Sequence, residues 1–196
     1  MASYAEVMKV LAELYRAGED AVRGPLRGRI QNLQKLGVPL HGQVGKGKKL
    51  DYQRQQIYQL VFCMELAEIG LNPSQVASTV RVLWELAFGG AFLAEAAVPS
   101  LDNDRILILV ADQMSTAWTT PQSPSPFCTV MPMTVKQSDE KTLAEDIAGL
   151  KRDKRWRHLS MINVSEIVRE VEPRLADILS PPQRVPDGLH KKAHSA

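Results

Sequence analysis

Between Gly28 and Gln53 the sequence reads GRIQNLQKLGVPLHGQVGKGKKLDYQ. Arg and Lys are the side chains that reach phosphates, and Arg, Gln and Asn are those that hydrogen-bond to base edges. Arg27, Arg29, Gln31, Asn32, Gln34 and Lys35 fall within one short segment. Lys46, Lys48 and Lys49 crowd a loop that also holds Gly42, Gly45 and Gly47, and Arg23, Tyr52 and Arg54 flank the block. From Arg23 to Arg54 there are eight cations and one acid, Asp51, a balance of +7 that leaves −5 for the rest of a chain whose total is +2. Such asymmetry points toward a polyanion, either nucleic acid or an acidic membrane surface, against the plainer reading of a solvated charged face.

Other chemistry finds less support. GQVGKGK, Gly42 to Lys48, satisfies the GxxxxGK part of a phosphate-binding loop, but Lys49 replaces the magnesium-holding Ser or Thr and no buried strand leads in. His41, His158, His190 and His194 are scattered. Asp102, Asp104 and Asp112 flank a strand and read as paired carboxylates for acid–base or metal work or, more plainly, as turn and cap residues. Ser160 and Ser165 lie in no nucleophile elbow. Met131, Met133 and Met161 read as core filler. Cys63 and Cys128 stand 65 positions apart outside any metal or redox motif, as buried apolar residues in a reducing compartment do. The expectation is a protein that is not an enzyme, with no cofactor and no metal.

These side chains need elements to position them. Tyr4, Val7, Met8, Leu11, Leu14 and Tyr15 recur at helical spacing, and GED (Gly18 to Asp20) ends or bends that first helix. A second helix is predicted from near Pro25, a favourable first-turn residue, with Leu26, Ile30, Leu33 and Leu36 on one side and Gly37 as its stop. Val38, Leu40, Val44 and Leu50 suit two short strands around the Gly/Lys turn. A third helix begins after Asp51, carries Ile57, Leu60, Val61, Met64 and Leu66, and closes at Gly70. Asn72 as N-cap, Pro73 and Gln75 then open a fourth, which Gly89-Gly90 bends or breaks. Val80, Leu83, Trp84, Leu86 and Phe88 give that helix enough apolar surface to meet a second subunit or to dock on the C-terminal half.

Beyond VPSLDNDR the texture changes. RILILVAD (Arg105 to Asp112) and FCTVMPMTV (Phe127 to Val135) read as strands, the second at a sheet edge because of Pro132, and HLSMI (His158 to Ile162) as a third. A helix is predicted from Ser138 to about Arg152, and Asn163 caps another with Glu166 at the box position. The tail from Ser180 lacks apolar periodicity and should be disordered. No run approaches the roughly 18 apolar residues that cross a bilayer, and the amphipathic, acid-bearing start is unlike a signal peptide. A cytoplasmic protein with no membrane partner is expected.

The order LRGRIQNLQKLGVP, GKGKKLDY and QIYQLVFCMELAEIGLNPSQVA resembles the MerR family of bacterial regulators over about residues 26–81. In that family a helix-turn-helix is followed by a wing, a tyrosine-marked strand end and a glycine-linked helix pair; Tyr52, Ile69, Gly70, Leu71 and Val76 match the last two. Two departures stand out. The chain begins with an additional amphipathic helix, and LRGRIQNLQ keeps only the Leu-Arg start of the family's recognition helix. The metal-sensing cysteines of some members have no counterpart, so Cys63 and Cys128 are not read as sensors.

The resemblance implies a winged helix-turn-helix domain in a mainly α fold; the strand and helix patterns beyond it add a small C-terminal α/β unit. The expected division is a winged domain over 1–81, a connecting or dimerisation helix over 82–100, an α+β unit over 101–179 and the tail over 180–196. The implied function is sequence-specific binding of double-stranded DNA by a transcriptional regulator. Helix 26–36 would enter the major groove and a basic wing over 42–50 would grip the backbone. Arg23, Arg27, Arg29, Gln31, Asn32, Lys35, Lys46, Lys48, Lys49, Tyr52 and Arg54 are the expected DNA contacts. Val80, Leu83, Trp84 and Phe88 are the expected homodimer contacts. A small-molecule or protein effector at the C-terminal region stays open. The rival reading is a protein–protein adaptor or antiactivator that uses the winged fold as a docking surface. RNA binding is disfavoured by the few aromatics, Tyr52 and Tyr58, near the basic block.

Overall fold

Gln56 to Met64 are buried without a break, although they form the middle of a single helix. A helix buried on every side needs neighbours on every side. The computed structural model supplies them; it describes residues 1–40, 51–84, 103–111, 128–136, 145, 148 and 158–179. The elements are α1 (Tyr4–Leu14), a short α2 (Glu19–Ala21), a π-helical turn (Val22–Leu26), α3 (Arg27–Lys35), the central α4 (Arg54–Glu68) and α5 (Pro73–Leu83). Then come β1 (Asn103–Ala111), β2 (Cys128–Lys136), β3 (His158–Asn163) and α6 (Val164–Leu179). The described residues are mainly helical, and no described helix is long and apolar enough to cross a membrane.

Local signals set several boundaries. Ser3 and Glu6 form a capping box on α1, and Asn72 and Gln75 form one on α5 with Pro73 in its first turn, as expected. Gly37 (φ +82°) and Gly70 (φ +94°) end α3 and α4 in the left-handed region that favours glycine. Asn163 Oδ1 accepts from Glu166 N at 3.1 Å to cap α6. Arg81 donates to Leu36 O at 2.6 Å, tying α5 to the end of α3.

The second helical stretch departs from expectation. It opens at Glu19 rather than near Pro25, and Pro25 lies inside the π-helical turn. α1 stops at Leu14, so the acids of GED do not end it. Glu19 and Asp20 open α2 instead, where negative charge complements the helix dipole. Val38 lies in irregular backbone and Leu40 in a turn, neither in a strand, and Val44 and Leu50 lie outside the described residues. The amphipathic start is no appendage: Ala2 and Tyr52 exchange backbone hydrogen bonds of 2.9 and 2.7 Å, and Val7, Met8 and Leu11 join the common core.

That core continues into the C-terminal region through Ile162, Val164, Val168, Val171 and Leu175. The sheet is antiparallel in the order β2-β1-β3. Among the described strands β2 lies at an edge and its Pro132 stands opposite Leu107, in agreement with the edge position read from proline. Met161 is 47% exposed, which corrects its reading as core filler. Cys63 is buried, and burial pushes its thiol far up, so it is an inert apolar residue. Glu145 and Ala148 are helical; the remainder of the 138–152 helix, Gly89-Gly90 and the tail lie outside the described residues.

Candidate functional site

α3 divides its side chains cleanly. Leu26, Ile30 and Leu33 point into the core, while Arg27, Arg29, Gln31, Asn32 and Lys35 are exposed. Gly28 lies on the same outer face and a Cβ there would meet nothing within 4 Å, so the surface between the two arginines is open. Arg29 reaches across to Glu68 at 4.0 Å and to Met64 Sδ at 4.0 Å, near the end of α4. Arg27 stands on the other flank, where its charge opposes the burial that raises the Tyr4 phenol. The Tyr4 hydroxyl is buried with no hydrogen-bond partner. It borders an open cleft of about 810 Å³ between α1 and the start of the second helical stretch, lined also by Met8, Ala12 and Arg16.

The chain is held on either side of the basic segment 41–50, at Leu40 and at Tyr52. Leu40 N donates to Gln59 Oε1 at 2.5 Å, and Gln56 Nε2 donates to Leu40 O at 3.4 Å. Both glutamines are buried, and a buried amide is costly unless it is hydrogen-bonded, so their partners define the backbone path at Leu40. On the far side, the Ala2–Tyr52 bridge and a 2.6 Å hydrogen bond from Gln34 Nε2 to the Tyr52 hydroxyl hold the return. Lys46, Lys48 and Lys49 lie outside the described residues.

No protein-family model matches the chain, and no curated protein matches it.

Several assigned residues change role. Tyr52 is fully buried and its hydroxyl is engaged by Gln34, so it is withdrawn as a phosphate contact. Arg54 is half-exposed and paired with Glu172 of α6. Arg23 belongs to the π-helical turn, and its side chain is outside the described residues. Val80 and Trp84 are buried within the chain itself, Trp84 edge-on to Phe62 with ring centroids 6.1 Å apart, so they are core residues rather than dimer contacts. The side chain of Leu83, and all of Phe88, lie outside the described residues.

The carboxylates read as possible chemistry are structural where described. Asp104 accepts from Asn163 Nδ2 at 3.0 Å and pairs with Arg169, linking β1 to α6. Among the described residues, no group of three or more His, Cys, Asp or Glu is placed to hold a metal. Sequence reasoning missed Gln56, Gln59 and Glu172. Their signal, a polar residue within an apolar or amphipathic helix, is too common to single them out.

Proposed function

We propose that this protein binds double-stranded DNA through a winged helix-turn-helix, with α3 in the major groove and the basic loop on the flanking backbone. One observation carries the reading: α3 buries Leu26, Ile30 and Leu33 and exposes Arg27, Arg29, Gln31, Asn32 and Lys35 as one outer surface. Cations that reach phosphates and amides that read base edges then share a rigid helix. The order α1, connector 15–18, second helical stretch, basic segment 41–50 between the held residues Leu40 and Tyr52, α4 and α5 supports a winged arrangement. It also gives the first helix a place inside that arrangement rather than before it. A regulator of transcription is the use that fits such a surface best.

The test is selection from a random duplex library at physiological salt with competitor DNA. An enriched motif supports specific binding, and an inverted repeat further supports a homodimer. Neutralising Lys46, Lys48 and Lys49 together should weaken binding to all duplexes alike and flatten the log–log salt dependence by about 0.9 per lost phosphate contact. Asn32→Ala or Arg29→Ala should change the selected sequence instead. Recovery of no motif, with no salt-sensitive affinity, would favour the adaptor reading.

A further inference from the structure

Arg54 is the first residue of α4 and closes the basic block, yet its guanidinium is engaged by Glu172 of α6. The other oxygen of that carboxylate accepts from the Tyr58 hydroxyl at 2.8 Å. Both oxygens of Glu172 are therefore held by α4, and its side chain is only 27% exposed. Val168, Val171 and Leu175 of α6 anchor it in the common core on either side of this contact. Arg169 of the same helix pairs with Asp104 of β1. A continuous set of contacts thus runs from the sheet through α6 to a cation of the candidate DNA surface.

A carboxylate and a phosphodiester offer a guanidinium the same chemistry, two anionic oxygens in one plane of approach. We propose that Glu172 is an intramolecular stand-in for a DNA phosphate, competing for Arg54 so that the C-terminal helix restrains duplex binding. The inference rests on the duplex-binding reading above and adds a regulatory contact to it. A DNA phosphate gains Arg54 only by leaving Glu172 with Tyr58 alone. The Glu172 charge also repels phosphates within a Debye length, about 10 Å at 0.1 M salt. Neutralising Glu172 removes both penalties.

The experiment measures affinity for a random-sequence duplex over a range of NaCl concentrations, using the full chain. The proteins are wild type, Glu172→Gln, Glu172→Asp, Arg54→Gln and the Arg54→Gln/Glu172→Gln double variant, each checked for folding by circular dichroism. Glu172→Gln should bind about fivefold tighter, the scale of one exposed ion pair. Its log–log salt slope should steepen by about 0.9, the signature of one further phosphate contact. Glu172→Asp should stay near wild type. Arg54→Gln should bind more weakly than wild type, because the Glu172 charge is then left uncompensated. In the double variant the steepened salt slope should be lost, even though removal of the Glu172 charge still raises affinity over Arg54→Gln alone. If Glu172→Gln fails to fold, Glu172→Ala takes its place in the same comparison. Equal affinity and slope for wild type and Glu172→Gln would overturn the competition and leave the duplex-binding reading standing, as would an equal gain in Glu172→Asp. Absence of salt-sensitive duplex binding in every variant would overturn both.

Discussion

Gln34 Nε2 of α3 donates a 2.6 Å hydrogen bond to the hydroxyl of Tyr52, the residue whose backbone pairs with Ala2. The candidate recognition helix, the return of the basic loop and the N-terminus therefore meet at one buried phenol. Tyr52 belongs to the scaffold that aims the surface, not to the surface.

Tyr52→Phe should lower unfolding free energy by about 0.5–1.5 kcal/mol, the net worth of a typical hydrogen bond, while duplex affinity stays within twofold. Urea denaturation and a binding titration check the two halves. A tenfold loss of affinity with unchanged stability would return Tyr52 to the contact surface.

Gly28 separates stability from recognition. No neighbour lies within 4 Å of an added Cβ, and its φ is not in the left-handed region. Gly28→Ala should therefore stabilise the protein by about 0.8–1 kcal/mol through helix propensity. Gly28→Trp should leave the thermal midpoint close to wild type and block duplex binding, because the ring would fill the space a groove must occupy. Tight binding by Gly28→Trp would remove this face of α3 from the interface.

Gln59→Leu should cost about 1–3 kcal/mol by leaving Leu40 N, whose acceptor is Gln59 Oε1 at 2.5 Å, without its partner. Hydrogen exchange at the Leu40 amide should accelerate more than at amides in the middle of α4. Uniform acceleration across both sites would mean that Gln59 serves general stability and not the path into the basic loop.

All four tyrosines have raised phenol pKa values, with burial the largest cause in each. Burial takes Tyr52 to about 12, with the Gln34 hydrogen bond opposing it. Tyr15 is raised further by the charge and hydrogen bond of Glu65, and Tyr58 by Glu172. An unfolded tyrosine ionises near 10, so above that pH the unfolded chain holds fewer protons than the native one. The stabilisation is present in full below pH 10 and is lost as pH rises from there toward the native values. Each such tyrosine removes up to about 1.4 kcal/mol per pH unit. Urea midpoints should hold steady to about pH 9 as far as these groups are concerned and fall steeply above 10. The fall should coincide with the rise in tyrosinate absorbance. Tyrosinate appearing near pH 10 in the still-folded protein would contradict the burial of Tyr15, Tyr52 and Tyr58.

Sequence alone determined what depends on neighbours three or four residues away. The Asn72–Gln75 box, the Asn163 cap, the stops at Gly37 and Gly70, and the two faces of α3 all follow from spacing on one helix. Pro132 marked an edge because a missing N–H is intrinsic to the residue. Tertiary structure decided what depends on partners far along the chain. Trp84 faces inward because Phe62 and the rest of the core receive it, and Met161 faces out although its type suits a core. Glu19 starts a helix that sequence reasoning placed at Pro25, since a π-helical turn absorbs the proline. Ala2 with Tyr52, Leu40 with Gln59, and Arg54 with Glu172 are pairs no local pattern announces. Each is a hydrogen bond between polar groups that exists only once burial of the apolar faces has brought distant segments together.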